Sequence, residues 1–314
     1  MGALGDKKRV RLGEHELTLT NLEKVLWPQE QITKADLISY YVDIAPHILP
    51  HLKDRPLVFT RYPDGIYAKA FYQKQAPKGT PEWIRTCPVA HNTPAKVVQY
   101  VVASRAEDLA WTANMACIEV HPWLSRTTSL DNPDFAVFDL DPSEDTTFGD
   151  VCDVAFLVRQ VLEHYGLRLY IKTTGGSGLH MFLPVAGAWT YEKVQLCVRF
   201  VAELARQCYP EKVTLERLVK NRRGKVYIDF LQNAKGKTLV GVFSCRPSRG
   251  APVSFPIAWE ELRAVMPASF TLMTARQHIK TRGDAFAGVL SDAQDISRLA
   301  TDAQNAFSAG HLMR

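Results

Sequence analysis

One segment limits the possible folds more than any other. Between residues 134 and 245 the chain alternates strand-like and helix-like stretches, in the order strand, helix, strand, turn, strand, helix, strand, strand. "DFAVFDLDP" is the first strand. "FGDVCDVAFLVRQVLEHYGL" is a long amphipathic helix stopped by Gly166, because glycine takes the left-handed conformation at a helix end without a Cβ clash. "RLYIKTTGGSGLHMFLPV" reads as strand, glycine-rich turn, strand, and "TYEKVQLCVRFVAELARQCYP" as a second helix. "KVYIDFLQN" and "TLVGVFSCRP" read as two further strands. Strands joined partly by helices and partly by short turns predict an α+β fold, or mixed α/β layers.

The first half carries its own elements. "LTNLEKVLWP" reads as a helical turn capped by Thr20 or Asn21 and ended by Pro28. "TKADLISYYVDIAPHILPHL" is an amphipathic helix capped by Thr33, with Leu37, Ile38, Tyr41 and Ile44 on one face. "RPLVFTRYPDG" is a strand and a Pro-Asp-Gly turn, and "KVVQYVVAS" is a strand. "RAEDLAWTANMACIEVHPWL" is a helix passing into a strand that ends at His121. From about residue 256 the chain reads as a helical cover. The turn-rich stretch 125–134 predicts two lobes within one domain rather than two domains.

At 46% hydrophobic and 23% charged, the chain of 314 residues can bury a real core. No apolar run approaches the roughly 20 residues that span a bilayer, and the first residues lack a signal-peptide apolar region, so a cytoplasmic location is expected. The six cysteines form no CxxC or Cys/His zinc spacing and read as reduced, mostly buried thiols. A net charge of +5 permits a polyanionic partner without requiring one. More telling are the basic clusters "KNRRGK" at 220–225 and "KGK" at 235–237.

The chemistry starts at Asp139 and Asp141. Residues two apart on a strand point to the same face, so these carboxylates converge where Pro142 ends the strand. Converging carboxylates repel unless a cation lies between them, and oxygen ligands are what a hard divalent cation takes. The same residues also read as an Asp-Pro turn with one aspartate capping the next helix. Asp229 stands alone among apolar residues, on the face of Tyr227 and Leu231 by strand alternation, and a lone inward acid is costly unless paired or metal-bound. A third carboxylate beside such a pair is an arrangement used in two-metal phosphoryl transfer.

"KTTGGSGLH" is neither a Walker loop nor a dinucleotide fingerprint, because a strand follows it. Its glycines let backbone N–H groups approach an anion, Thr174 and Ser177 add hydroxyls, and His180 opens the next strand. A structural glycine-rich hairpin is the plainer reading. "KAFYQK" sets Phe71 and Tyr72 between Lys69 and Lys74, which fits either single-strand binding or core aromatics with snorkelling lysines.

The series "LTNLEKVLWP", "RPLVFTRYPDG", "FYQKQAP", "EVHPW", "VFDLDP", "TTGGSGLH", "VYIDFLQN", "FSCRP" resembles the polymerase domain of bacterial ligase D, the end-joining branch of the archaeo-eukaryotic primase superfamily, from about residue 15 to 265. The resemblance implies one primase-polymerase domain over 1–314. An N-terminal αβ lobe that binds DNA ends would span about 10–125, and an RRM-like catalytic lobe about 134–250, under a helical cover at 256–314. It implies a repair polymerase that adds NTPs or dNTPs to a primer 3′-hydroxyl with two Mn²⁺ or Mg²⁺ ions. Carried over, Asp139, Asp141 and Asp229 are metal ligands and catalytic residues. His121, Thr174, Gly176, Ser177, His180, Gln232, Lys237, Ser244 and Arg246 would bind the nucleotide. Lys24, Lys53, Arg61, Phe71, Tyr72, Lys74 and Arg222 would bind DNA. Expected partners are DNA ends and gapped duplex with a 5′-phosphate, a Ku-like end-binding protein and an ATP-dependent DNA ligase; the protein is expected to be a monomer off the membrane. Thr60 stands where many relatives carry a second phosphate-gripping lysine, and Gly-Gly-Ser-Gly where some carry Gly-Ser-Lys-Gly. A primase-polymerase that starts chains de novo, and a metal-dependent nuclease or phosphoesterase, are the alternatives.

Overall fold

The computed structural model describes residues 7–90 and 97–310. They fold as two compact units. The first holds the residues up to Trp123 with Leu239–Ser254 and Phe270–Gly283; the second holds Leu124–Thr238, Phe255–Ser269 and the residues from Asp284 onward. The segment Leu239–Ser254, expected at the end of the catalytic lobe, thus clusters with the N-terminal residues. No helix among the described residues is long and apolar enough to cross a membrane.

The second unit is built on a six-stranded sheet. Its order is Val213–Thr214, Val226–Ile228, Phe135–Pro142, Leu179–Pro184, Tyr170–Thr173, Pro256–Ile257. The inner four strands are antiparallel neighbours. Numbered by sequence they lie in the order 4-1-3-2, with helices Phe148–Glu163 and Tyr191–Cys208 as the two crossovers. This is the β-α-β-β-α-β arrangement of an RRM-like layer. Both helices start at threonine caps, Thr147 and Thr190. Thr147 forms a full capping box with Asp150, worth about 1 kcal/mol. The helices pack against the central strand and against each other, so they share one face of the sheet. Phe138 and Leu140 point into that interface and are 1% and 0% exposed. Burial of side chains of this size stabilises by about 1.5–3 kcal/mol each.

The first unit carries a sheet in which Leu57–Arg61 pairs with Cys117–Pro122 on one side and, on the other, with Phe71–Gln73 and, through Leu57, with Val97–Val101. The amphipathic stretch behind Thr33 forms a capped helix, Lys34–Asp43, followed by a second helix, Ala45–Leu52. Leu37, Ile38 and Tyr41 are buried, as the periodicity predicts.

Three local expectations are corrected. "LTNLEKVLWP" is not a helical turn: Asn21 takes φ 51° and Val25–Trp27 forms a short strand with Ile32–Thr33. "TLVGVFSCRP" is not a strand, because Phe243 at φ 60° breaks an extended run and Cys245 meets Val253 in an isolated bridge rather than a ladder. The strand carrying Asp229 ends one residue early, at Ile228.

Candidate active site

In the second unit, alternation along Phe135–Pro142 turns Val137, Asp139 and Asp141 to the face opposite the helices. The register then decides their neighbours. His180 stands opposite Asp139, Lys172 opposite His180, and Tyr227 opposite Asp141. One sheet face thus carries Tyr227, the two aspartates, His180 and Lys172 from four adjacent strands. Asp139 and His180 are buried, Asp141 is half-buried, and Lys172 is fully buried. His180 Nε2 lies 3.2 Å from Asp139 Oδ1, and Lys172 Nζ lies 2.9 Å from His180 Nδ1.

Asp229 arrives by another device. Its backbone N–H donates to the Asp139 carbonyl at 2.8 Å. Its carboxylate caps the 3₁₀ turn Phe230–Gln232 by accepting from the Leu231 N–H at 3.0 Å. Tyr227 Oη donates to the same carboxylate at 3.0 Å and Gln232 Nε2 at 3.2 Å. Asp229 is therefore a half-buried turn cap, not an inward strand residue, and the Tyr227 expected on its face is a hydrogen-bond donor to it. Gln232, expected at the nucleotide, orients Asp229 instead. Burial, and then the negative charge of Asp229, push the Tyr227 hydroxyl far above its ordinary value, so it stays a hydrogen-bond donor.

One residue missed in the sequence holds this turn, and another has a role the sequence did not suggest. The buried Asn233 amide accepts from the Val137 N–H at 2.8 Å and donates to the Val137 carbonyl at 2.7 Å, clamping the turn to the central strand. Tyr227 is covered by the Arg222 guanidinium, 4.1 Å above its ring. Arg222, expected on DNA, is buried against this tyrosine and donates to the Arg217 carbonyl. An Asn after a short turn and an Arg in a basic run give no sequence signal for either role.

Among the described residues, no group of three or more His, Cys, Asp or Glu side chains is placed so that it could hold a metal ion. Asp229 is engaged by Tyr227, Leu231 and Gln232. The donors that fit a hard cation are Asp139 and Asp141: carboxylate oxygens on one face, with further positions open to phosphate oxygens and water.

The glycine turn is shaped by Thr174. Its hydroxyl accepts from the N–H groups of Gly176 and Gly178 at 3.1 and 3.2 Å and donates to the Gly178 carbonyl at 3.1 Å. Thr174, expected on the triphosphate, is buried and organises the turn. Gly175 has φ 70°, and a Cβ on Gly178 would overlap the Leu140 carbonyl oxygen, so both positions demand glycine. Gly176 and Ser177 form the exposed apex. Lys237 is exposed on the turn after Asn233.

The first unit brings a second polar cluster together. Thr60 faces Glu119 on one side and Tyr72 on the other. His121 Nε2 lies 3.1 Å from Thr60 Oγ1 and 3.6 Å from Glu119 Oε2, and Arg246 Nη1 lies 3.2 Å from Glu119 Oε1. Burial alone would raise the Glu119 carboxyl, but bonding to His121, the Arg246 charge and Thr60 outweigh it and hold it below its usual value. Glu119 is thus an ionised anchor that aims both His121 and Arg246. Ser244 is not positioned for a ligand: it is fully buried and its hydroxyl accepts from the Val120 N–H at 2.8 Å, fixing the strand that carries His121.

The family described as "LigD, primase-polymerase domain" matches residues 33–286. The chain belongs to this family. It is a nucleotidyltransferase of the polymerase type and works with a metal ion. The chain is 31% identical over 283 residues to the bifunctional non-homologous end joining protein LigD of Bacillus subtilis, covering 89% of this chain and 45% of that protein. It is 31% identical over 285 residues to the multifunctional non-homologous end joining protein LigD of Mycolicibacterium smegmatis, covering 90% and 37%. The chain therefore spans less than half the length of these relatives. Among solved structures, the polymerase domain of Mycobacterium tuberculosis ligase D in complex with DNA superposes with a TM-score of 0.81 at 32% identity, over 88% of this chain and 99% of that one.

The residues expected on DNA in this LigD-type chain fall in two groups. Phe71 and Tyr72 are exposed by 49% and 58% on a short strand, with Lys74 Nζ 5.8 Å above the Tyr72 ring. Lys53 is also exposed. Lys24 pairs with Asp64 at 2.6 Å on the surface. Arg61 is turned inward: it donates to the Met115 carbonyl at 3.0 Å and to Gln73 at 2.9 Å, bracing the strand of Phe71 and Tyr72.

Proposed function

We propose that the chain is an end-joining polymerase that adds NTPs or dNTPs to a primer 3′-hydroxyl at DNA ends and gaps. The observation that carries this reading is the sheet face itself, where Asp139, Asp141, His180 and Lys172 meet beside Asp229. Acids for a divalent cation and a histidine donor for phosphate, backed by a buried lysine, sit on one rigid surface.

The proposed cofactor is a pair of Mn²⁺ or Mg²⁺ ions, which when bound acidify the attacking hydroxyl and neutralise the leaving pyrophosphate. Asp139 and Asp141 are the ligands available for them. Asp229 takes the proton of the 3′-hydroxyl or completes the ligand set once Tyr227 yields its hydrogen bond. The Gly176 and Ser177 apex, His180 and Lys237 are assigned to the triphosphate. Arg246 and His121 are assigned to the nucleotide, with Glu119 and Thr60 holding their orientation. Phe71, Tyr72 and Lys74 offer stacking and charge to an unpaired template strand, and Lys24 and Lys53 offer charge to a 5′-phosphate. A Ku-like end-binding protein and an ATP-dependent ligase are the proposed partners of a monomeric polymerase.

Primer extension on a gapped duplex tests this reading. It is run with and without a 5′-phosphate, with NTP or dNTP, and with Mn²⁺ or Mg²⁺. The expected result is template-directed addition that needs the metal and is faster with the phosphate. Metal-dependent strand cleavage without any addition assigns the acids to a nuclease instead.

A further inference from the structure

We propose that Lys172 is a positioning residue that locks His180 in the tautomer with its proton on Nε2. Three residues stand in direct cross-strand register on three adjacent antiparallel strands: Lys172, His180, Asp139. Side chains directly opposite in such ladders have Cβ atoms about 4.5–5.5 Å apart, so the row is set by the sheet rather than by a loop. Lys172 Nζ is 2.9 Å from His180 Nδ1, and His180 Nε2 is 3.2 Å from Asp139 Oδ1.

A lysine ammonium has donors and no acceptor. The ring nitrogen facing it must therefore present its lone pair, which places the single proton of a neutral imidazole on the other nitrogen. Nε2–H then lies on the side of the Asp139 carboxylate, a favourable charge–dipole contact at 3.2 Å that stops short of a hydrogen bond. The opposite tautomer sets N–H against ammonium and a lone pair against a carboxylate, two repulsive contacts in a buried site. Lys172 is 0% exposed. A buried ammonium carries a desolvation cost that a methionine of similar shape avoids, so packing alone does not call for lysine here.

The consequence is a fixed donor. With its proton fixed on Nε2 before substrate arrives, His180 passes that donor from the Asp139 side to a phosphate oxygen with no change of tautomer, and Lys172 stands directly behind it. This catalytic consequence rests on the polymerase reading of the same face. The tautomer itself does not.

The test is long-range ¹H–¹⁵N NMR of histidine-labelled protein without metal or nucleotide, with His180→Gln to assign the signal. Wild-type His180 is expected to show protonated Nε2 and unprotonated Nδ1. Lys172→Met is expected to lose that single-tautomer pattern and to slow single-turnover nucleotide addition by about 100-fold, the cost of misaligning a group at the reacting centre, with DNA-end binding unchanged. A wild-type His180 carrying its proton on Nδ1 overturns the proposal, as does a Lys172→Met protein that keeps the wild-type pattern. If Lys172→Met does not fold, the wild-type spectrum decides alone. A wild-type enzyme with Nδ1–H that still extends primers refutes only this inference. One with Nε2–H that adds no nucleotide refutes only the polymerase reading.

Discussion

The N–H of Asp229 and the carbonyl of Asp139 are joined by a 2.8 Å hydrogen bond. Two acids far apart in sequence thus share a backbone contact, and Asn233 makes it rigid through its two bonds to Val137. Asn233→Ala leaves the Val137 N–H and carbonyl buried without that partner. Unsatisfied buried groups cost about 1–3 kcal/mol each. We expect a stability loss on the order of 3 kcal/mol by urea unfolding, and a fall of about 100-fold in single-turnover addition from misplacement of Asp229. Wild-type values for both would show that the clamp is idle.

Glu119 is the second organising residue. Glu119→Gln removes the charge that holds Arg246 and His121. The expected effect is a rise of about 10-fold in KM for the nucleotide, the weight of a charge-assisted contact, with a smaller change in kcat. Thr60→Val, which removes the hydroxyl bonded to His121, should move KM in the same direction. Steady-state kinetics decide: unchanged KM in both variants contradicts the alignment role.

Acid should destabilise the fold by a mechanism with a defined sign. Bonding to Lys212 and Thr147 depresses the Asp150 carboxyl from 3.8 to about 2, and Glu119 and Asp292 are depressed as well. The unfolded chain binds more protons than the folded one in this window, so stability is full above the ordinary carboxylate range and is lost as pH falls through it toward 2. Lys212→Met should shallow the acid limb of a denaturant-midpoint titration. An identical limb in wild type and variant would sink the attribution.

Lys24 offers a simpler test. Its pair with Asp64 is exposed, and such pairs are worth about 0–1 kcal/mol, so a DNA phosphate can displace it. Lys24→Ala should reduce the preference for a 5′-phosphorylated gap in a binding assay, and more so at low salt. An unchanged preference removes Lys24 from the phosphate contact.

What could be read from the sequence was local. The Thr33 cap, the strand-helix alternation from residue 134 and the shared face of Asp139 and Asp141 follow from side-chain periods and capping chemistry, which short windows contain. What could not be read depends on distant partners. Asp229 left its strand because its carboxylate caps the next turn and Asn233 pins that turn. Ser244 and Arg222 looked like ligands by residue type, but Val120 and Tyr227 claim them. Lys172 lay unnoticed because alternation gives a period without saying which lysine will be buried beside a histidine.

The central claim is that Asp139 and Asp141 run nucleotide transfer. The most direct measurement compares wild type with the Asp139→Ala plus Asp141→Ala double variant in metal-dependent extension of a labelled primer. Binding to the same DNA is followed by fluorescence anisotropy. The account predicts no detectable addition by the variant and DNA affinity within about threefold of wild type, since each factor of ten is only about 1.4 kcal/mol and the acids are not assigned to DNA. Primer extension retained in the double variant would contradict it.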